Sequence, residues 1–128
     1  MRWLPGSGFP TAIPGVIGAA GSGQPLAHGV FAAPAEHVLT LRPGAEYDFE
    51  SGSSVAAAEI TGVIALLMSA SRTRLAPATV AALLGEAPVR TAAPTASAAT
   101  AAVVDVNAAL ARLDALGEHG TATASAAP

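Results

Sequence analysis

The chain has 128 residues, enough for one small domain, with 52% apolar residues, only 12% charged residues and a formal net charge of −3. All six basic residues are arginines spread singly along the chain, which leaves nucleic-acid binding without electrostatic support. There is no cysteine, so disulfides and thiolate metal sites are excluded while the redox compartment is left open.

Residues 1–8 read as a leader. In "MRWLPGSGFPTAIPG", Arg2 is followed by Pro5, Gly6, Gly8, Pro10 and Pro14 where an export signal needs an unbroken apolar core. No signal peptide is expected, and localisation is left open. From residue 9 to residue 50 short apolar runs alternate with turn residues. Val16–Ala20, Val30–Ala32 and Val38–Leu41, bounded by glycine and proline, are expected to be short buried strands.

At Ser53 the texture changes to helix. A second helix is predicted in "LAPATVAALLGEA", with Pro77 in its first turn and Gly85 as its C-cap. Residues 87–102 are Ala/Thr/Pro-rich without a period, the composition of a long loop. "VVDVNAALARLDALG" then predicts a strand-like start and a last helix, N-capped by Asp105 and stopped at Gly117. Residues 117–128 are expected to form a disordered tail. Strands followed by helices in this order indicate the end of an α/β sheet protein.

The stretch "SGSSVAAAEITGVIALLMSA" carries the functional signal. A membrane span needs about twenty apolar residues. Ile60 to Ala70 supplies eleven, and extension backwards takes in Glu59, which costs roughly 2.5 kcal/mol at mid-bilayer. No membrane span is expected. The residues after Ser54 are apolar on every side, which predicts a central buried helix. Leu66 and Leu67, about 100° apart, should then both be buried, with a neighbouring element close at Gly62. Ser54 stands at the head of that helix, where free N–H groups and the positive end of the macrodipole favour an oxyanion. A fixed hydroxyl with backbone donors is what a serine nucleophile in acyl transfer requires. Capping of the helix by Ser53 or Ser54 is the simpler reading from spacing alone.

"SGSSVAAAEITGVIALL" resembles the active-serine segment of the subtilisin-like serine peptidases, in which Gly-Thr-Ser-x-Ala leads into an apolar helix containing a glycine. Gly52, Ser53, Ser54, Ala56 and Gly62 fall on that pattern, with Ser53 where threonine is usual. "FPTAIPGVIGAAG", "FAAPAEHVLTLRPGAEYDFESGSS" and "VVDVNAALARL" resemble further segments of the same family in the same order. Residues 9–116 thus look like the C-terminal segment of a subtilisin-like peptidase domain. The resemblance implies a parallel-sheet α/β fold and a serine endopeptidase acting on peptide or protein substrates through an acyl-enzyme. It makes Ser54 the nucleophile, with its own backbone N–H as one oxyanion donor. It implies no cofactor, and no metal-ligand cluster is visible.

The pattern is also departed from. Ala58 stands where proline is common and Glu59 where histidine is common. Glu59 lies about 140° around the helix from Ser54, so it is no general base, and in an apolar helix it should be paired, hydrogen-bonded or protonated. The family's catalytic aspartate and histidine motifs precede the serine in chain order, and neither is present in these residues; nor is the family's oxyanion asparagine. His28 and His37 fall on a strand edge and a strand approach, His119 in the expected tail, and Asp48 and Glu50 on the approach to Ser54 as solvated carboxylates. A complementing N-terminal peptidase segment is therefore an implied partner. The alternative is a non-catalytic remnant, or a structural or binding piece that docks on another chain.

Overall fold

The computed structural model describes residues 8–23, 26–27, 29–85 and 103–122. Among them are four strands and three helices in an α/β arrangement. Strand β1 (Gly18–Gly21) runs parallel to β2 (Val30–Ala33), with Ala20 opposite Ala32. Ala32 also bridges in parallel to Val103, and the Val104 N–H donates to the Ala32 carbonyl at 2.9 Å, so β2 occupies the middle of the sheet. β1 begins two residues later than the apolar run suggests, because the Val16 N–H is spent on the Ile13 carbonyl of the preceding turn. Gly18 has a packing reason: a Cβ there would lie 2.9 Å from both Thr11 Cγ2 and Val30 Cγ2.

Strands β3 (Val38–Arg42) and β4 (Glu46–Glu50) form a separate antiparallel hairpin. Val38–Leu41 is a strand, as expected, but it is not buried. Leu39 and Leu41 are exposed, because the hairpin's contacts are mainly with itself.

Helix α1 (Ser53–Ala70) packs on β1, β2 and α3 (Val106–Ala122). Ala56, Ile60 and Leu67 lie within about 40° of one another on its wheel, and they are its buried residues. They join Phe31, Ala33, Leu83, Ala109 and Leu113 in the core. The opposite stripe is open. Leu66 is 43% exposed whereas Leu67 is 0% exposed, and nothing lies within 4 Å of a Cβ built on Gly62. Burial on all sides, with a close neighbour at Gly62, is thus corrected to burial on one side. The physical reason is that the few strands described here roof only one face of an 18-residue helix. By length and composition α1 is also apolar enough to cross a membrane.

Helix α2 (Pro77–Leu84) has Pro77 at its start and Gly85, at φ 82°, as its C-cap, as expected. Arg112 of α3 reaches back and donates to the Leu83 carbonyl at 2.9 Å. This places a cation on carbonyls that the helix end leaves unpaired. Asp105 caps α3 as expected, its Oδ1 accepting the Ala108 N–H at 3.0 Å. The stop at Gly117 is not observed, for α3 continues to Ala122 and Gly117 has no positive φ. A single helical glycine costs only about 1 kcal/mol. The loop expected at 87–102 and most of the leader at 1–8 lie outside the described residues, as do residues 123–128 of the expected tail.

Candidate functional site

The site is built where β4 hands over to α1. The Gly52 N–H donates to the Ala35 carbonyl at 2.8 Å, which pins the start of α1 to the residues just after β2. Gly52 has φ 141° and ψ 165°, a conformation essentially confined to glycine. One residue earlier, Ser51 Oγ accepts the His37 N–H at 3.0 Å, and His37 itself sits at φ 51°. Two hydrogen bonds and one special glycine therefore fix the direction from which the chain enters the helix.

Gly52 occupies the N-cap position and makes no side-chain cap. Ser53 and Ser54 are the first two helical residues, so neither hydroxyl serves as the cap. The Val55 N–H turns back to the Gly52 carbonyl at 3.0 Å. The Ser54 N–H and hydroxyl have no hydrogen-bond partner among the described residues, and Ser54 is exposed. Its N–H is one of the orphan donors of a helix start, lying at the positive end of the macrodipole. An exposed hydroxyl beside an uncommitted N–H can add to a carbonyl and stabilise the resulting oxyanion, provided that a base is supplied.

No such base is engaged with Ser54 among the described residues. His37 is an exposed turn residue whose backbone is tied to Ser51. Asp48 belongs to strand β4 rather than to a loop. Its Oδ2 lies 2.6 Å from Arg42 Nη1 and its Oδ1 accepts the Phe49 N–H at 2.8 Å. Glu50 is exposed on β4 opposite Val38. Glu59 is exposed rather than enclosed in an apolar helix, so the premise on which a partner is expected for it is not met. His28 and the side chain of His119 lie outside the described residues, although position 119 itself falls within α3. Gly52, Ser53, Ser54 and Ala56 of the motif are brought together, with Ala56 buried beneath the first turn. Gly62 lies two turns away on the open side. The Ala35 carbonyl and the Ser51 hydroxyl are positioning groups that sequence reading misses, since only the contact across the chain reveals them.

A groove open to solvent runs along the exposed side of α1, lined by Ala58, Glu59, Gly62, Val63, Leu66 and Val106. No group of histidines, aspartates and glutamates placed to hold a metal ion occurs among the described residues. The chain matches no family model, and no curated protein matches it at a significant level.

Proposed function

We propose that residues 9–116 are the C-terminal segment of a subtilisin-like serine endopeptidase, with Ser54 as the nucleophile. The observation that carries this reading is the state of Ser54: exposed at the head of an apolar helix, held by a glycine-only turn, with neither its hydroxyl nor its N–H committed to a partner among the described residues. Ser54 Oγ adds to the scissile carbonyl of a peptide or protein substrate, and its own N–H donates to the oxyanion. With the Ser54 proton handed to a base, the tetrahedral adduct collapses by breaking the C–N bond, that proton going to the amine that leaves, and water then hydrolyses the acyl-enzyme to release the acid and restore Ser54. The base, and the carboxylate that orients it, come from a complementing N-terminal segment. Neither nucleic acid nor a membrane is a partner in this reading.

The test is reconstitution. The chain is mixed or fused with a family N-terminal region that carries the aspartate and histidine motifs, then exposed to a fluorophosphonate probe and a peptide substrate. Labelling at Ser54 and hydrolysis are expected only in the assembly, and both are lost in Ser54→Ala. The chain alone should remain unlabelled. An assembly that folds yet leaves Ser54 unlabelled refutes the nucleophile assignment.

That last outcome would instead favour a docking piece without catalysis, a reading with its own support. β1 pairs on one side only among the described residues, and the exposed side of α1 bears an open, shallow groove in which Glu59 sits among apolar residues. Both are surfaces that a further part of a sheet protein would cover.

A further inference from the structure

The β3–β4 hairpin has two unlike faces. Val38, Thr40 and Arg42 share one face with Glu46, Asp48 and Glu50, and the Arg42–Asp48 ion pair lies there. The other face sets Leu39 opposite Phe49 and Leu41 opposite Tyr47, with no charge among them. These residues are 58%, 61%, 69% and 72% exposed respectively. A two-stranded hairpin is marginal in water until such a face is covered, and none of the described helices covers it.

We propose that this face is a dimer interface, at which two copies of the chain pack their hairpins face to face about a two-fold axis parallel to the strands. Area is the first argument for a second copy. Taking about 200 Å² as the full surface of a large apolar side chain, the four exposures amount to about 500 Å² per chain. Two copies together bury at most about 1,000 Å², the size of a weak but specific interface. Charge is the second argument. An uncharged face meets itself without like-charge repulsion, as a self-complementary two-fold contact requires. The acidic residues stay on the outer faces, where they also give no attraction to an anionic bilayer.

The third argument is shape. The stated axis lays β3 of one copy over β4 of the other, so Leu39 faces Phe49 and Leu41 faces Tyr47. Each branched side chain meets a ring, and the two layers interdigitate at the usual sheet spacing of about 10 Å. This interface is independent of any chemistry at Ser54.

Sedimentation velocity of the full chain over a micromolar concentration series should show monomer giving way to dimer. The double substitution Leu41→Ser with Tyr47→Ser should raise the dissociation constant about tenfold or more. Thr40→Ser on the polar face should leave it unchanged. Because the chain has no cysteine, Leu41→Cys and Tyr47→Cys proteins can be prepared singly. A short thiol-specific cross-linker should join the mixed pair in higher yield than either protein with itself. A monomer at every concentration overturns the proposal, including one that binds neutral phosphatidylcholine vesicles instead. So does a dimer that survives the face substitutions, or a mixed pair that cross-links no better than its components. If the double substitution unfolds the chain, the cross-linking yields decide alone.

Discussion

Leu66 and Leu67 are adjacent in sequence and opposite in environment, which makes truncating each of them to alanine a direct test of how α1 is packed. Leu67 is 0% exposed and belongs to the stripe with Ala56 and Ile60. Leu67→Ala forfeits the transfer free energy of a fully buried side chain and leaves a cavity lined by core residues that cannot all collapse, a cost of about 2–5 kcal/mol. Leu66 keeps 43% of its surface in water, and water fills the space that it vacates. Leu66→Ala should cost about 1 kcal/mol or less, the transfer of a partly buried side chain without a cavity. Urea unfolding followed by far-ultraviolet circular dichroism, at one fixed protein concentration, measures both. Domains of this size are stable by about 5–15 kcal/mol, so the first variant should shift the midpoint visibly and the second barely. Equal costs would refute one-sided packing and mean that the back of α1 is covered by another element.

Ser54→Ala should change stability by less than about 0.5 kcal/mol, the usual range for an exposed position that supports no other group; a loss near 1 kcal/mol would identify the hydroxyl as a cap after all. Gly18→Ala drives a Cβ to within 2.9 Å of two side-chain carbons, and the forced shift should cost about 1–3 kcal/mol in the same denaturation assay. Arg112→Ala removes a cation from the carbonyl of buried Leu83 and should lower stability by about 0.5–1.5 kcal/mol, the net worth of such a hydrogen bond when its donor residue is exposed; differential scanning calorimetry reads it, and an unchanged melting temperature would show that α2 and α3 are held by apolar contact alone.

What the sequence discloses follows from how local each feature is. Pro77 and Gly85 bound α2, and Asp105 caps α3, because proline's fixed φ, glycine's access to positive φ and a short carboxylate's reach to an N–H act within one turn. The cap of α1 eludes the same logic. Gly52 can hold φ 141° where serine cannot, which moves the cap position one residue upstream and leaves Ser53 and Ser54 inside the helix. Burial is less legible still, since an apolar residue does not state whether a neighbour exists to cover it. Leu66, Leu39 and Leu41 are as hydrophobic as Leu67, and geometry beyond their own elements decides their exposure. The turn between β3 and β4 is a similar case: "RPGAE" signals a bend, but not that the two strands stand apart from the helices.

The parallel bridge between Ala32 and Val103 also dictates an order of events during synthesis. Its two sides are about seventy residues apart, and contacts that distant are slow to close because the loop entropy is spent before the contact rewards it. A ribosome delivers β2 and the whole of α1 well before Val103 and the core residues Ala109 and Leu113. Throughout that interval Ile60 and Leu67 are without their partners on α3. A pause before Ala109 and Leu113 have left the ribosome would lengthen that exposure, whereas an equal pause after they have emerged would not.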